Sequence, residues 1–483
     1  MTACWGQCYM AGEPVVGKRT ADLGEAPLGL LMVKLSIPGM IGMLVMSLYN
    51  IVDTFWVSGL PTGTQAIAAL TVLFPLQMIV GAVGWGTSAG VTSLVARRFG
   101  AVRIDEVNQA AGNAISFSLL VGAVFALAGL LGAGALVRVF GATPGIVAPA
   151  TAYLTIVAVG FPFMLLGTVL NALYRGAGNT VTPMLIMGFA AVANAVLDPL
   201  LIYGPGPFPR MEIRGAAVAT VIAQVSTAIM SLVYLRSRRS GYGVRLRDLR
   251  LRLPVIRDIA QVGAPATADS WLRSVVASVY NWVLAGFGPA AIAAHGLSMR
   301  ILMLVISCLG GGVNQALTPI VGYTFGARNY RRMWRAYGIA AWWTSGGGLL
   351  LGGAVCVFAP QILAPFARDP ELLRLGALSL RLKMCTFFLI EPQMMAVFSL
   401  QGMGMGGRAM LLTMSRNAVF VLPAMLLLSS LFGVTGAFAA QPVSDVLALF
   451  VAAAVMVQVY RRYPPSATAR AEVAELEAGS AGG

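Results

Sequence analysis

Charge is scarce in this chain. Only 11% of its residues are charged, 58% are hydrophobic, and mean hydropathy is +0.80, against about 25% charged in a soluble domain. A water-soluble globule is excluded, and most of the surface must meet lipid or other apolar helices. Histidine occurs once, at His295, which excludes a multi-histidine metal centre. The five cysteines, Cys4, Cys8, Cys308, Cys356 and Cys385, show no metal-ligand spacing. Three of them lie in apolar segments, where a thiol acts as a small hydrophobe. No phosphate-binding loop, nucleophile elbow or His/Cys/carboxylate cluster occurs. Neither ATP-driven pumping nor enzyme chemistry finds its motif, and the chain is read as a non-enzyme.

What is present is apolar length. Charge-free runs such as 111–137 and 341–365 exceed the ~20 residues that cross ~30 Å of hydrocarbon. The 56 glycines let such helices approach closely. Hydropathy with breaks at Arg, Pro-Gly and polar clusters predicts an all-α polytopic membrane protein. Its twelve spans run over 30–58, 67–95, 108–136, 150–174, 182–203, 215–236, 258–286, 290–321, 335–358, 374–402, 409–432 and 435–460. The expected organisation is an N-terminal segment (1–27), a six-helix lobe (28–236), a basic linker (237–257), a second six-helix lobe (258–462) and a polar, disordered tail (463–483).

Basic residues set the orientation. Arg97, Arg98, Arg103, Arg175, the run from Arg236 to Arg257, Arg328, Arg331, Arg332, Arg335, Arg461 and Arg462 share one side. The other side has only Arg138, Arg210, Arg214, Arg368 and Arg374. Positive charge marks the cytoplasmic side, so both termini are expected inside, in the inner (cytoplasmic) membrane. The net charge of +15 then reflects topology and anionic headgroups rather than a nucleic-acid partner. In VRLRDLRLRLPVIRD (244–258) Arg alternates with Leu, as in an interfacial helix.

The chain also resembles itself. SAGVTSLVARRFGAVR (88–103) lines up with NQALTPIVGYTFGARN (314–329), a spacing of 226 residues. YN at 49–50 lines up with YN at 280–281, IAA at 67–69 with IAA at 292–294, RGAGNTVTPML (175–185) with QGMGMGGRAML (401–411), and RGAAVAT (214–220) with TGAFAAQ (435–441). Six spans return the chain to its starting side, so the copies form a parallel repeat. Transporters built this way place substrate between the bundles and rock one against the other.

Of 18 acidic residues, five fall in spans: Asp53, Asp198, Asp269, Glu391 and Asp445. An ionisable group there costs an estimated ~2.5–3.5 kcal/mol or more, so each needs a partner, water or a proton. Asp53 has Asn50 at i−3 and Asp198 has Asn194 at i−4, each pair on one helical face. Both acids lie in the outer half of outward-running spans. Two carboxylates and two carboxamides suit a hard cation such as Na⁺ at Asp53, Asp198 and Asn194, and they suit a proton equally. The plainer reading makes both acids polar helix ends. Asp269 with Arg273 at i+4 reads as a structural pair, Glu391 and Asp445 as structural acids or a second site, with Arg416 or Arg300 as partners for Asp445. His295 reads as a packing residue or a proton carrier. Tyr49, Phe55, Trp56 and Trp282 are candidates for a cavity accepting flat cations, against the plainer lipid-facing or core role.

The stretch from Pro38 through YNIVDTFWVSGL to AIAALTVLFPLQ resembles the first two helices of the multidrug and toxic compound extrusion (MATE) transporters. RGAGNTVTPM, GAAVATVIAQ and GFGPAAIAAHGLSMRI followed by TFGARN resemble further signatures of that family. The YNIVD segment with Asn194 and Asp198 is most similar to its DNA-damage-inducible F branch. The resemblance covers about 28–460. It implies a V-shaped twelve-helix fold exporting mostly cationic organic compounds in exchange for inward H⁺ or Na⁺. It also adds Thr220 and Tyr153 to the acid site and gives Pro38 the role of a kink-forming proline. Expected partners are a small organic cation, the coupling ion and the bilayer, with no other cofactor and a monomeric state. A lipid-linked sugar flippase of the same superfamily is the alternative, disfavoured by the few intramembrane arginines (Arg273, Arg300, Arg416). A membrane enzyme or receptor would lack a reason for two lobes.

Overall fold

The computed structural model describes residues 18–60, 63–205, 209–366 and 369–466. Among these residues there is helix and turn but no strand. In chain order the helices are α1 (Lys18–Glu25), α2 (Leu28–Ser58), α3 (Gly63–Gly100), α4 (Ile104–Val139), α5 (Pro144–Gly176), α6 (Val181–Tyr203) and α7 (Ile213–Arg236). Then follow α8 (Leu253–Ala285), α9 (Pro289–Gly326), α10 (Tyr330–Val357), α11 (Ala359–Leu363), α12 (Pro370–Cys385), α13 (Phe387–Gly402), α14 (Gly406–Met414), a π-helical turn (Ser415–Phe420) and α15 (Val421–Arg462). Each of the twelve expected spans falls on helix. Nine helical stretches among the described residues are long and apolar enough to cross a membrane. The difference has local causes. α8 carries Arg257, Asp258, Asp269 and Arg273, the tenth span breaks at Thr386, and the last two run on as Gly406–Arg462. Within that stretch Gly433 leaves helical geometry at φ +62°, a conformation that glycine adopts without a Cβ penalty.

The repeat is visible in backbone detail. Val102 and Arg328, 226 residues apart, both take left-handed φ, +58° and +56°. They occupy matching turns, in which Arg103 N–H donates to Arg98 O (3.0 Å) and Asn329 N–H to Thr324 O (2.8 Å). Gly178 and Gly404 repeat the device at φ +78° and +83°.

The chain folds as two compact units, and their boundaries differ from the expected lobes. Among the described residues, one unit holds 18–22 together with Ile41–Ala264, the other Leu23–Met40 together with 265–466. The first part of α2 thus packs with the C-terminal half, and the first part of α8 with the N-terminal half. The changeovers fall just after Pro38 and at Pro265. A proline lacks the N–H that a helix interior needs and bends the helix. Close approach secures both transfers. A Cβ on Gly312 of α9 would collide with Met40 and Ser36 O, and one on Gly90 of α3 with Ile259 O.

The expected interfacial linker helix is instead two short 3₁₀ turns, Arg238–Ser240 and Leu246–Leu249. Its backbone is tied to α4. Asn113 Nδ2 donates to Asp248 O (3.1 Å), Asn113 Oδ1 accepts from Arg252 N–H (2.6 Å), and Ser116 Oγ donates to Leu249 O (2.7 Å). Backbone groups bonded to side chains of a neighbouring helix are withdrawn from the i→i−4 ladder, which is why this segment is not helical. Cys4, Cys8 and the tail after 466 lie outside the described residues, as does the side chain of Cys308.

Gly90→Leu is expected to lower stability by about 1–3 kcal/mol or more, the usual cost of overpacking. It should be read as a fall in melting temperature of the detergent-solubilised protein. Gly134→Ala, where nothing would meet the new Cβ, should be neutral or stabilising by up to about 1 kcal/mol.

Candidate ion-binding site

The first unit brings α2 and α6 together at their C-terminal ends. Tyr203, the last residue of α6, donates its hydroxyl to Trp56 O of α2 (2.7 Å). The two rings meet edge-on at 6.2 Å. A Cβ at Gly59 would collide with the same hydroxyl, so glycine there is part of the joint. Asp53 lies three residues before Trp56 and Asp198 five before Tyr203. At about 1.5 Å rise per residue, the two acids differ in depth by about 3 Å.

Asp198 and Asn194 are fully buried (0% exposed) and Asp53 is half-buried. Asn194 Nδ2 donates to Asp198 Oδ1 at 3.3 Å, along one helical face. That bond leaves Asp198 Oδ2, Asn194 Oδ1 and Asp53 Oδ1 buried with no hydrogen-bond partner in the protein. The charge of Asp53 acts on Asp198, so the carboxylates form one electrostatic group. Pro199, next to Asp198, cannot donate to the carbonyl of Ala195, which adds another oxygen dipole on the same helix. Unpartnered buried oxygens cost about 1–3 kcal/mol each. A proton or an oxygen-seeking cation removes that cost, and the donor set fits both. Among the described residues no group of three or more His, Cys, Asp or Glu could hold a metal ion.

Tyr153 is buried in the apolar cluster that contains Val57, Ile202, Ala216 and Ala217. Thr220, also buried, follows one turn after Ala216. They lie on α5 and α7, and Tyr153 shares its cluster with Val57 of α2 and Ile202 of α6. The side chains of Tyr49 and Asn50 lie outside the described ones. Trp56 is committed to Tyr203 and to the same cluster. Phe55 (65% exposed) and Trp282 (74% exposed) stand on the surfaces of their units. Pro38 lies inside α2 beside the changeover between units, not in the acid cluster.

The remaining acids are dispersed through the second unit. Asp269 pairs with Arg273 at 2.5 Å, as the i, i+4 spacing predicts. Asp445 takes Arg416 Nε at 2.7 Å, the Thr386 hydroxyl at 2.9 Å and Gln441 at 3.3 Å. This network ties the break at Thr386 to the π-helical turn carrying Arg416. Glu391 is buried, with Oε2 unpartnered in a notch at Gly310. His295 stacks on Tyr280 at 4.2 Å and has its Nδ1 3.2 Å from Lys383 Nζ. The sequence reading passed over Lys383, although its place inside an apolar span was the available signal.

The MatE family profile matches residues 38–200 and again 265–427, more than half of the chain. The chain belongs to the MATE family. Each match begins at one of the prolines where the units change over. Over 432 residues, covering 88% of the chain and 93% of the relative, it is 27% identical to the FAD transporter of Shewanella oneidensis. It is 24% identical to the multidrug export protein MepA of Staphylococcus haemolyticus, over 89% and 93% of the two chains. Among solved structures, an outward-facing multidrug resistance MATE family transporter superposes with a TM-score of 0.83, at 28% identity over 94% and 99% of the chains. A superfamily transporter from Pyrococcus furiosus, described as having a binding pocket of reverse polarity, gives 0.81, at 28% identity over 90% and 96%. This MATE protein is therefore a transporter with several membrane-spanning helices and the family's two-lobe fold.

Arg416→Leu should cost about 3–5 kcal/mol, because it leaves Asp445 charged and buried without its partner. Arg273→Leu should cost less, about 1–3 kcal/mol, because Arg273 is 52% exposed while Asp269, 6% exposed, loses its charged partner. Thermal unfolding of the two variants checks the contrast.

Proposed function

We propose that this transporter is a secondary antiporter. A proton or Na⁺ entering from outside occupies Asp53, Asp198 and Asn194, and a small organic compound, cationic and of multidrug type, leaves in exchange. The observation that carries the reading is the set of three buried oxygens with no partner, on two helices held in register by Tyr203 and Trp56. An ion that fills them couples its own binding to the relative position of α2 and α6. The kink at Pro38 gives α2 a place to bend when the acids change state. The resemblance to multidrug export proteins supports an organic substrate, and the arginine-rich ends support an inner-membrane orientation with cytoplasmic termini. The relative named as an FAD transporter favours a second reading, in which the cargo is a flavin nucleotide driven by the same ion site.

Inverted vesicles holding the purified protein are expected to take up a fluorescent organic cation when an H⁺ or Na⁺ gradient is imposed. Asp53→Asn and Asp198→Asn should each reduce the uptake at least tenfold, with Asp269→Asn as a control near wild-type rate. Undiminished uptake by both site variants would make the acids structural, and uptake of labelled FAD but not of the cation would select the second reading. Imposing each gradient alone identifies the ion.

A further inference from the structure

The second unit contains a buried lysine that no carboxylate neutralises. Lys383 of α12 is 1% exposed, and none of the described residues forms an ion pair with it. Its Nζ meets two groups of α9, the Ser298 hydroxyl at 2.8 Å and His295 Nδ1 at 3.2 Å. Ser298 Oγ spends its one proton on His295 O (3.0 Å). It therefore accepts from Ser379 (2.8 Å) and from Lys383. The imidazole is clamped from the other side by Tyr280 of α8, stacked at 4.2 Å and 20°, whose hydroxyl donates to Ala437 O.

Donor counting limits what this pair can hold. An ammonium is donor only, and an imidazolium is donor at both nitrogens. If both groups were protonated, two donors would face each other at this separation, with two uncompensated charges in an apolar surround. One proton satisfies the geometry, either on Nζ pointing at Nδ1 or on Nδ1 pointing at an amine. The other titratable groups nearby are engaged elsewhere. Asp445 of α15, whose charge reaches Tyr280, is held by Arg416. Cys356 of α10 bonds to Arg381 O on α12, and Glu391 of α13 lies in the notch at Gly310.

The internal repeat shows that the fold does not need these polar groups. The register of 226, in which α3 (Gly63–Gly100) matches α9 (Pro289–Gly326) end to end, places His295 opposite Ala69 and Lys383 opposite Val157. Both counterparts are ordinary members of the first unit's apolar cluster. A pair that its own duplicate replaces with two hydrocarbons is present for its chemistry.

We propose that Lys383 and His295 form a proton-binding site in the C-terminal unit: a proton taken from solvent makes Nζ an ammonium that donates to Nδ1 of the neutral ring, and its release leaves a neutral amine that accepts from Nδ1–H. The site is built without Asp53 or Asp198 and does not depend on their role.

The single histidine makes the test direct. The full chain, labelled with ¹⁵N-histidine, purified without a histidine tag and placed in lipid nanodiscs, gives one ring to follow by NMR from pH 5 to 10. The expected result is one transition as the pH rises: the pair releases one proton to solvent, the ring exchanges its Nε2–H for Nδ1–H, and Nδ1 changes from acceptor of the ammonium to donor toward the amine while the ring stays neutral. In Lys383→Met that transition should vanish and the ring become an imidazolium at the acid end. Lys383→Arg, which keeps the charge but gives up no proton, should hold Nδ1 as an acceptor at every pH and serves if the methionine variant does not fold. Asp53→Asn should leave the His295 transition unchanged, whatever it does to transport. An imidazolium forming at the same pH in wild type and Lys383→Met would overturn the proposal. So would a ring that never changes.

Discussion

A polar atom taken into hydrocarbon without a partner is the constraint on which the rest of this structure turns, because no water is there to compensate it. The chain knows how to meet that demand. Asp445 collects Arg416, Thr386 and Gln441, and Asp248 is capped and folded against Asn113. Against that background, Asp53, Asn194 and Asp198 gather three open oxygens on two joined helices, whereas Glu391 Oε2 and Asp269 Oδ1 are left open singly. The helices are held in register by an aromatic joint while the oxygens beside it are left open. Rigidity of the frame and vacancy of the valences are separate properties, supplied by different residues.

Duplication sharpens this distinction. The two copies share their turns down to the sign of φ at Val102 and Arg328 and at Gly178 and Gly404. They do not share their charges. The second copy carries no acid over 279–284, where the register places Asp53, and the stretch 420–424, opposite Asp198, is entirely apolar. Conversely, Ala69 and Val157 stand where the second copy has His295 and Lys383. Packing follows the repeat, and ionisable chemistry was written separately into each half.

The helices were legible in the sequence because a spanning segment needs length and hydropathy above all, and both are local. The Asn194–Asp198 and Asp269–Arg273 contacts were legible too, since four residues make one turn. Asp445 was narrowed to Arg416 or Arg300, but the choice needed the π-helical turn that aims Arg416. Lys383 was not legible as a site. Its charge inside the span 374–402 marks it out, but its partners lie more than 80 residues away on α9. Nor were the limits of the two units. Hydropathy marks where a helix crosses the membrane but not which neighbours each part of it touches, and those follow from glycine contacts at Gly90 and Gly312.

The changeover at Pro38 and Pro265 has a consequence for how such a chain could have arisen. Each duplicated sequence begins with half a helix that completes the other bundle. A polypeptide carrying one copy could not close its own core, and two such chains would have to exchange their leading segments to fold.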